Sequence, residues 1–206
     1  MQRIVRAGLT VFVGLVALEH LLRGDLPPGE HFVSEYANGW TWPVQTVAFL
    51  AWAAATGACA VLAARTPRRK IARTVTVLAL GAATVGLLMT AIWSTETVAG
   101  ELPAGVERTL GGRLHDLGTV AILVGLLVAA LASLRLVPST RYRLIVLALG
   151  ITLLAIVPVL IALRLDAPGI GQRGFILVGL AWQWAFASQE RSMGSALSRP
   201  DRFGER

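Results

Sequence analysis

The sequence has little charge, one cysteine and one lysine. Charged residues make up 15% of its 206 residues. The lone cysteine, Cys59, has no intramolecular disulfide partner, so the chain is not a disulfide-stapled domain, and Cys59 is predicted to be a small packing residue. The formal charge of +7 is divided among the ends of several apolar segments rather than gathered in one patch. This distribution argues against a nucleic-acid-binding protein.

Apolar residues fill the sequence instead, at 55% of the chain with a mean hydropathy of +0.65. They come in long blocks, and a helix needs about 20 apolar residues to cross about 30 Å of hydrocarbon. Six blocks are predicted to span a membrane, at about 4–22, 43–64, 74–93, 114–134, 144–163 and 174–188. We therefore predict an all-α fold: a polytopic transmembrane bundle of six helices with short loops over 1–190, followed by a basic, disordered cytoplasmic tail over 191–206.

The first block follows Arg3 and Arg6, a pattern that also fits a cleavable signal peptide. Residues 18–22, where the block ends, contain no pair of small residues spaced for cleavage. The block is therefore predicted to be a retained first span.

The basic residues predict the orientation of the bundle. If both termini are inside, the inner segments carry fourteen of the nineteen lysines and arginines and the outer loops carry five. Because lysine and arginine accumulate on the cytoplasmic side, this count favours an N-in, C-in topology. Eighteen arginines against one lysine indicate a GC-rich bacterial genome, so the expected location is a bacterial cytoplasmic membrane.

Ionisable residues are almost absent from the middle of the predicted spans. This absence argues against a proton- or ion-coupled transporter, because coupling groups usually lie near the membrane midplane. The polar candidates lie at the predicted outer ends. Glu19 and His20, near the end of the first span, are interpreted as side chains that reach toward the headgroups or bond to a loop.

The segment 31–39 places His31 and Glu35 four residues apart. On a helix the two would share a face, a spacing that suits a metal-ligand pair or a histidine oriented by a carboxylate. An interfacial loop capped by Ser34 explains the segment equally well.

The fourth predicted span opens with His115 and Asp116. His115 is the best single candidate, because a histidine that enters the bilayer without a partner is costly. Asp116 is placed to favour the dipole of the helix N-terminus. Arg173, before the sixth span, opposes that dipole and should have an anionic partner: Glu96, Glu35 or a lipid phosphate.

Together these segments resemble a bacterial membrane family, domain of unknown function 998, along nearly the whole chain. Members have six spans and a serine-containing segment after the first, here residues 34–39. They also have a Thr-acid pair after the third (Thr95 and Glu96), a histidine opening the fourth (His115) and an arginine before the sixth (Arg173). The acid is more often aspartate, so Glu96 reaches one methylene further. The resemblance implies a fold and a compartment, and it assigns no activity.

The favoured function is binding or processing of a lipid or isoprenoid amphiphile from the outer leaflet, by an enzyme or by a binding protein. His115 would act as general acid or base, oriented by Glu96 or Asp116, and arginines would hold a phosphate. The candidate catalytic residues are His115, Glu96, Asp116 and Glu35. The candidate ligand-binding residues are Arg173, Arg113, Ser34 and Thr95. No cofactor is clearly indicated, and a metal-assisted version would use His31 and His115 with a carboxylate.

Two other functions stay open. In the first, the protein is a structural or partner subunit of a membrane complex, and the outer polar residues only tie loops together. In the second it is a transporter, which is less favoured because a pore needs a continuous polar lining. The expected partners are membrane lipids, a lipid or isoprenoid ligand and a membrane protein, with no nucleic acid.

Overall fold

The computed structural model describes residues 1–67, 69–152, 154 and 167–189. This part of the chain is helical and contains no strand, only an isolated bridge between Val98 and Glu101. Its α-helices are α1 (Gln2–Leu22), α2 (Trp42–Ala64), α3 (Lys70–Ile92), α4 (Leu110–Ser133), α5 (Thr140–Ile151) and α6 (Pro168–Ser188), and a 3-10 helix covers Val33–Ala37. The prediction of an all-α fold is confirmed for these residues.

Four of the helices, α1 to α4, are long and apolar enough to cross a membrane, with 21 to 24 residues and a mean hydropathy between 1.7 and 2.1. Helix α6 is also 21 residues long, but Gln172, Arg173 and Gln183 make it more polar. The rest of the predicted fifth span and the predicted tail over 191–206 lie outside the described residues. The four apolar helices indicate a multi-pass membrane protein.

Helices α3, α4, α5 and α6 begin earlier than the sequence predicted, and the starts of α4 and α6 bear on the candidate residues. Thr109 caps α4, since its hydroxyl accepts a hydrogen bond from the Gly112 amide at 3.2 Å. Pro168 lies in the first turn of α6, where its missing N–H costs nothing. Asp116 and Arg173 therefore lie in the second turn of their helices, beyond the reach of the N-terminal dipole. The dipole arguments for both residues are wrong.

Close contact between α3 and α4 depends on glycine. A Cβ at Gly86 would lie 2.5 Å from the Gly118 carbonyl oxygen, and one at Gly125 would lie 2.7 Å from the Ala79 carbonyl oxygen. Small residues let helix backbones approach where no water drives them together. Gly86 and Gly125 therefore allow the backbones of α3 and α4 to pack closely.

Trp52, Thr56 and Gln183, deep in the bundle, are neutral and hydrogen-bonded to one another. The Gln183 amide accepts a hydrogen bond from Trp52 Nε1 and donates one to Thr56 Oγ1, both at 3.0 Å. Cys59 is fully buried, as a packing residue should be. Such pairing removes most of the cost of burying polar groups in an apolar core.

The connections before α2, after α3 and before α6 pack together at one end of the bundle. Asn38 Nδ2 donates to the Thr97 carbonyl oxygen at 3.1 Å, and the Gly169 amide donates to the Gly29 carbonyl oxygen at 3.0 Å. These are the connections that the sequence assigned to a common side, and most of the candidate residues lie in or beside them.

Candidate functional site

A cavity of about 430 Å³ lies at this end of the bundle, between the 3-10 helix, α2, α3, α4 and α6. Its polar lining includes Ser34, Thr95, Arg108, His115, Asp116 and Gln172. Its apolar lining includes Phe49, Trp52, Ile122 and Phe175. Since α4 rises 1.5 Å per residue, Ile122 lies about 10 Å deeper along that helix than His115. The cavity therefore has a polar end and an apolar end, and its size is typical of ligand pockets.

His115 is held in place by the backbone of α3's last turn. Its Nδ1 lies 2.7 Å from the carbonyl oxygen of Trp93. A carbonyl oxygen only accepts, so Nδ1 carries the proton, and in the neutral ring Nε2 is an acceptor. Nε2 has no hydrogen-bond partner among the residues that the structure describes, and the ring lines the cavity. The predicted orientation of His115 by Glu96 or Asp116 is wrong.

Asp116 forms an ion pair with Arg108. Both side chains line the cavity and are about one third exposed. The sequence prediction missed Arg108, because it lies in a loop and its only signal is an opposite charge eight residues away. Arg113, the arginine that was predicted to bind ligand here, is exposed and does not line the cavity.

Glu35 is buried, and its carboxylate accepts four hydrogen bonds. The donors are His31 Nδ1 at 2.6 Å, Thr97 Oγ1 at 3.0 Å, and the amides of Ala99 and Gly100 at 2.9 Å each. The expectation of a histidine oriented by a carboxylate is met, although the segment is a 3-10 helix and not an α-helix. Because both carboxylate oxygens are occupied, Glu35 fastens the 3-10 helix to the loop after α3.

The turn that Glu35 binds is unusual in its backbone. Ala99 and Gly100 both have positive φ angles, 51° and 81°. The same conformation points both amides toward the carboxylate, as in the turns that make anion-binding nests. A left-handed alanine costs roughly 1–2 kcal/mol, and the charge-assisted hydrogen bonds offset this cost.

Glu96 fastens the start of α4. Its carboxylate accepts hydrogen bonds from the Thr109 amide at 3.1 Å and from the Thr109 hydroxyl. It also lies against Gly112, where a Cβ would overlap the carboxylate. An acid in this position stabilises a helix N-terminus. Glu96 is not among the lining residues of the cavity, whereas the neighbouring Thr95 is.

Arg173 belongs to a second polar cluster, outside the cavity lining. It donates to His20 Nε2 at 3.1 Å, to the His31 carbonyl oxygen at 2.6 Å, to the Gly169 carbonyl oxygen at 3.2 Å and to the Tyr36 hydroxyl at 2.9 Å. Its guanidinium carbon also lies 5.7 Å from the centre of the Tyr36 ring. Burial raises the pKa of Tyr36, although the Arg173 charge opposes the shift.

Neither Glu35 nor Glu96, the two carboxylates expected to pair with Arg173, contacts its guanidinium. No carboxylate of the described residues lies within 4 Å of its guanidinium, and all its hydrogen-bond partners are neutral. Arg173 therefore joins α1, the 3-10 segment and α6 as a structural tie. Of the four residues predicted to bind ligand, Ser34 and Thr95 line the cavity, while Arg113 and Arg173 do not.

Glu19 is fully buried, and neither carboxylate oxygen has a hydrogen-bond partner. Arg23, one turn further on, does not hydrogen-bond to the Glu19 carboxylate. Its guanidinium pairs instead with the Asp25 carboxylate at 2.9 Å. That hydrogen-bonded pair raises the pKa of Arg23 and lowers the pKa of Asp25. The interpretation of Glu19 as a side chain reaching toward the headgroups is wrong. Gln45, also fully buried, likewise has an unpartnered side-chain amide.

The described residues contain no set of ligands for the metal site that the sequence allowed. Across the described ranges, no three His, Cys, Asp or Glu side chains come together in a group that could hold a metal ion. His115 lines the cavity, and His31 does not. The two histidines proposed as ligands are engaged separately, with the Trp93 carbonyl and with Glu35.

The four apolar helices and the cavity indicate a multi-pass membrane protein with a partly polar cavity at one end of the bundle. Residues 6–189 match the family described as "Protein of unknown function (DUF998)", and the chain belongs to this family. The resemblance found in the sequence is confirmed. Neither the curated proteins nor the solved structures include a significant match.

Proposed function

We propose that this protein binds a lipid or isoprenoid amphiphile in the cavity beside His115. The headgroup lies at the polar end, near His115, Arg108 and Asp116, and the tail lies deeper, against Trp52 and Ile122. The observation that carries the proposal is that one cavity joins both environments. An apolar tail gains free energy from leaving water, and a polar headgroup needs hydrogen-bond partners when it is buried.

In this proposal the protein crosses a bacterial cytoplasmic membrane six times, with both termini in the cytoplasm. The count of fourteen basic residues against five supports the orientation. Helix α6, with 21 residues, is about 32 Å long and long enough to span. Since the cavity lies among the connections with few basic residues, the ligand enters from the extracytoplasmic side.

Binding is better supported than catalysis. Glu35 and Glu96, two of the four catalytic candidates, have their carboxylates occupied by loop and helix-end donors. His115 and Asp116 do line the cavity. Asp116 is paired with Arg108, and His115 is oriented by a neutral carbonyl, so the geometry supports contacts with a bound headgroup and points to no reaction.

The second candidate function is a structural or partner subunit of a membrane complex. Glu35, Glu96 and Arg173 favour it, because each ties separate segments together. This function requires no occupant in the cavity. The two functions therefore differ in whether the protein retains an amphiphile when it is purified.

The test is native mass spectrometry of the protein extracted from its own membrane. Thr119 lines the cavity, and the neighbouring Val120 is 54% exposed on the outer face of the same helix. We expect an amphiphile bound one-to-one to the wild type and to Val120→Phe, and lost from Thr119→Phe because the larger ring fills the cavity. An empty wild type, or equal occupancy in a folded Thr119→Phe variant, would overturn the proposal and favour the structural subunit.

A further inference from the structure

The threonines that line the cavity use their hydroxyl hydrogens within the protein. Thr90 donates to the Leu87 carbonyl oxygen at 3.0 Å, and Thr119 donates to the His115 carbonyl oxygen at 3.1 Å. Both are bonds back to the residue's own helix, which leave the hydroxyl hydrogen unavailable to a ligand.

The same holds for the pair at the end of α3. Thr97 donates its hydroxyl hydrogen to Glu35 Oε1 at 3.0 Å. In the 2.9 Å contact between Thr95 and Thr97, Thr95 must therefore be the donor. The four lining threonines present only lone pairs to the cavity, and His115 Nε2 adds another acceptor.

The charges of the lining cancel. Among the described residues that line the cavity, Arg108 and Asp116 are the charged side chains, and they are paired with each other. A phosphate headgroup would have to break this pair or lie beside the Asp116 carboxylate. The first arrangement leaves Asp116 unpaired, and the second places two negative charges close together. Both disfavour a phosphate, by an amount that the one-third exposure of the two side chains reduces.

Besides the Arg108 guanidinium, which is paired with Asp116, two neutral donors remain for a second headgroup atom. Gln172 Oε1 accepts the Val33 amide at 2.6 Å, so its amide nitrogen is left to donate toward the cavity. Ser34, which also lines the cavity, has no hydrogen-bond partner for its hydroxyl among the described side chains and backbone. These donors suit a carbonyl or ether oxygen.

From this balance of donors and acceptors we infer that the cavity takes a neutral amphiphile whose headgroup hydroxyl donates a hydrogen bond to His115 Nε2. The ligand class is a hydroxyl-bearing lipid or long-chain alcohol, and the phosphorylated form of the same chain is disfavoured. The inference rests on the proposed function and specifies its ligand. It also replaces the expectation that arginines bind a phosphate here, since neither Arg113 nor Arg173 lines the cavity.

The test compares three ligands with one identical prenyl chain: the free alcohol, its methyl ether and its monophosphate. Binding to the purified protein is measured by native mass spectrometry titration. We expect the alcohol to bind about tenfold more tightly than the ether, the change expected for one hydrogen bond to a buried acceptor. The monophosphate should bind at least as weakly as the ether. The ether removes the donor without any change in the protein.

The protein-side variant is His115→Asn. The asparagine amide can still donate to the Trp93 carbonyl, but the acceptor at Nε2 is lost. Alcohol affinity should fall about tenfold, to the level of the ether, whereas ether affinity stays unchanged. Arg113→Asn, at an exposed position on the same helix, serves as the control and should bind all three ligands like the wild type.

Equal affinity for alcohol and ether, tighter binding of the monophosphate, or unchanged alcohol affinity in His115→Asn would overturn this inference and leave the proposed function standing. A folded wild type that binds none of the three ligands and carries no amphiphile of its own would overturn the proposed function as well.

Discussion

His115 donates its Nδ1 hydrogen to the carbonyl oxygen of Trp93, 2.7 Å away. Trp93 follows the last residue of α3, where helix carbonyls have no partner within the helix. The bond therefore satisfies a helix end and fixes the tautomer of a histidine on α4. It also leaves Nε2 as an acceptor at the cavity, which is the basis of the proposed ligand contact.

Glu35→Gln should destabilise the protein strongly. Glutamine keeps one carbonyl oxygen and presents an NH₂ group to donors that now bind a carboxylate, so the loop after α3 loses its attachment. We expect a loss of about 3 kcal/mol or more, since each hydrogen bond to a buried charge contributes about 1.5–3 kcal/mol. Thermal unfolding in detergent measures the change. Glu101→Gln, at an exposed position in the same loop, should unfold like the wild type.

Equal melting temperatures for Glu35→Gln and Glu101→Gln would contradict the structural role of Glu35. That result would return Glu35 to the group of candidate catalytic residues.

Arg173→Lys should lower stability without changing the ligand bound per folded molecule. The guanidinium donates in four directions, to His20, His31, Gly169 and Tyr36. A lysine ammonium cannot reproduce this planar fork, so we expect a loss of about 2 kcal/mol.

Arg113→Lys, at an exposed position, should change neither stability nor bound ligand. Native mass spectrometry and thermal unfolding on the same samples separate the two effects. A stable Arg173→Lys variant that has lost its ligand would show that Arg173 touches the ligand after all.

Two glycine-to-alanine substitutions should change the stability of the protein in opposite directions. A Cβ at Gly118 would lie 2.8 Å from the Gly86 carbonyl oxygen and 3.0 Å from Met89 Cβ, whereas a Cβ at Gly81 meets nothing within 4 Å. Gly118→Ala should cost about 1–3 kcal/mol, because α3 and α4 must move apart. Gly81→Ala should gain up to about 1 kcal/mol through better helix propensity.

Parallel unfolding curves in one detergent measure both glycine variants. Identical changes in melting temperature for the two variants would mean that α3 and α4 do not pack through Gly118.

Glu19→Met should stabilise the fold. Glu19 is fully buried with both oxygens unpartnered, and an apolar side chain of similar length removes that cost, about 1–3 kcal/mol. Glu30→Met, on an exposed loop residue, should leave the melting temperature unchanged. If Glu19→Met instead melts at a lower temperature than the wild type, Glu19 has a stabilising partner, such as an internal water.

The parts of the fold that follow from hydrophobic periodicity were predictable. The ends of α1 and α2 were placed within two residues, because a span ends where polar residues begin. The starts of α3, α4, α5 and α6 were placed too late. A threonine cap and an N-terminal proline can begin a helix before its apolar stretch, and the hydropathy pattern does not register either of them.

Contacts between side chains close in sequence could be predicted at the candidate site. Contacts with a backbone group, or with a residue distant in sequence, could not. The spacing of His31 and Glu35 offered their contact as one of two readings, and the structure shows that contact. The Trp93 carbonyl that holds His115 carries no side-chain signal. Arg173 looked like a phosphate ligand because its neutral partners on α1 and the 3-10 helix are over 130 residues away in sequence.

The central claim is that an amphiphile occupies the cavity, and photo-crosslinking tests it most directly. A long-chain alcohol with a diazirine in its tail is irradiated with the purified protein, and the labelled residues are mapped by mass spectrometry. We predict labelling at Ile122 and Phe175, reduced by excess unlabelled alcohol and by Thr119→Phe but not by Val120→Phe. Labelling spread over outward-facing positions such as Leu117 and Val124, without competition, would contradict the claim.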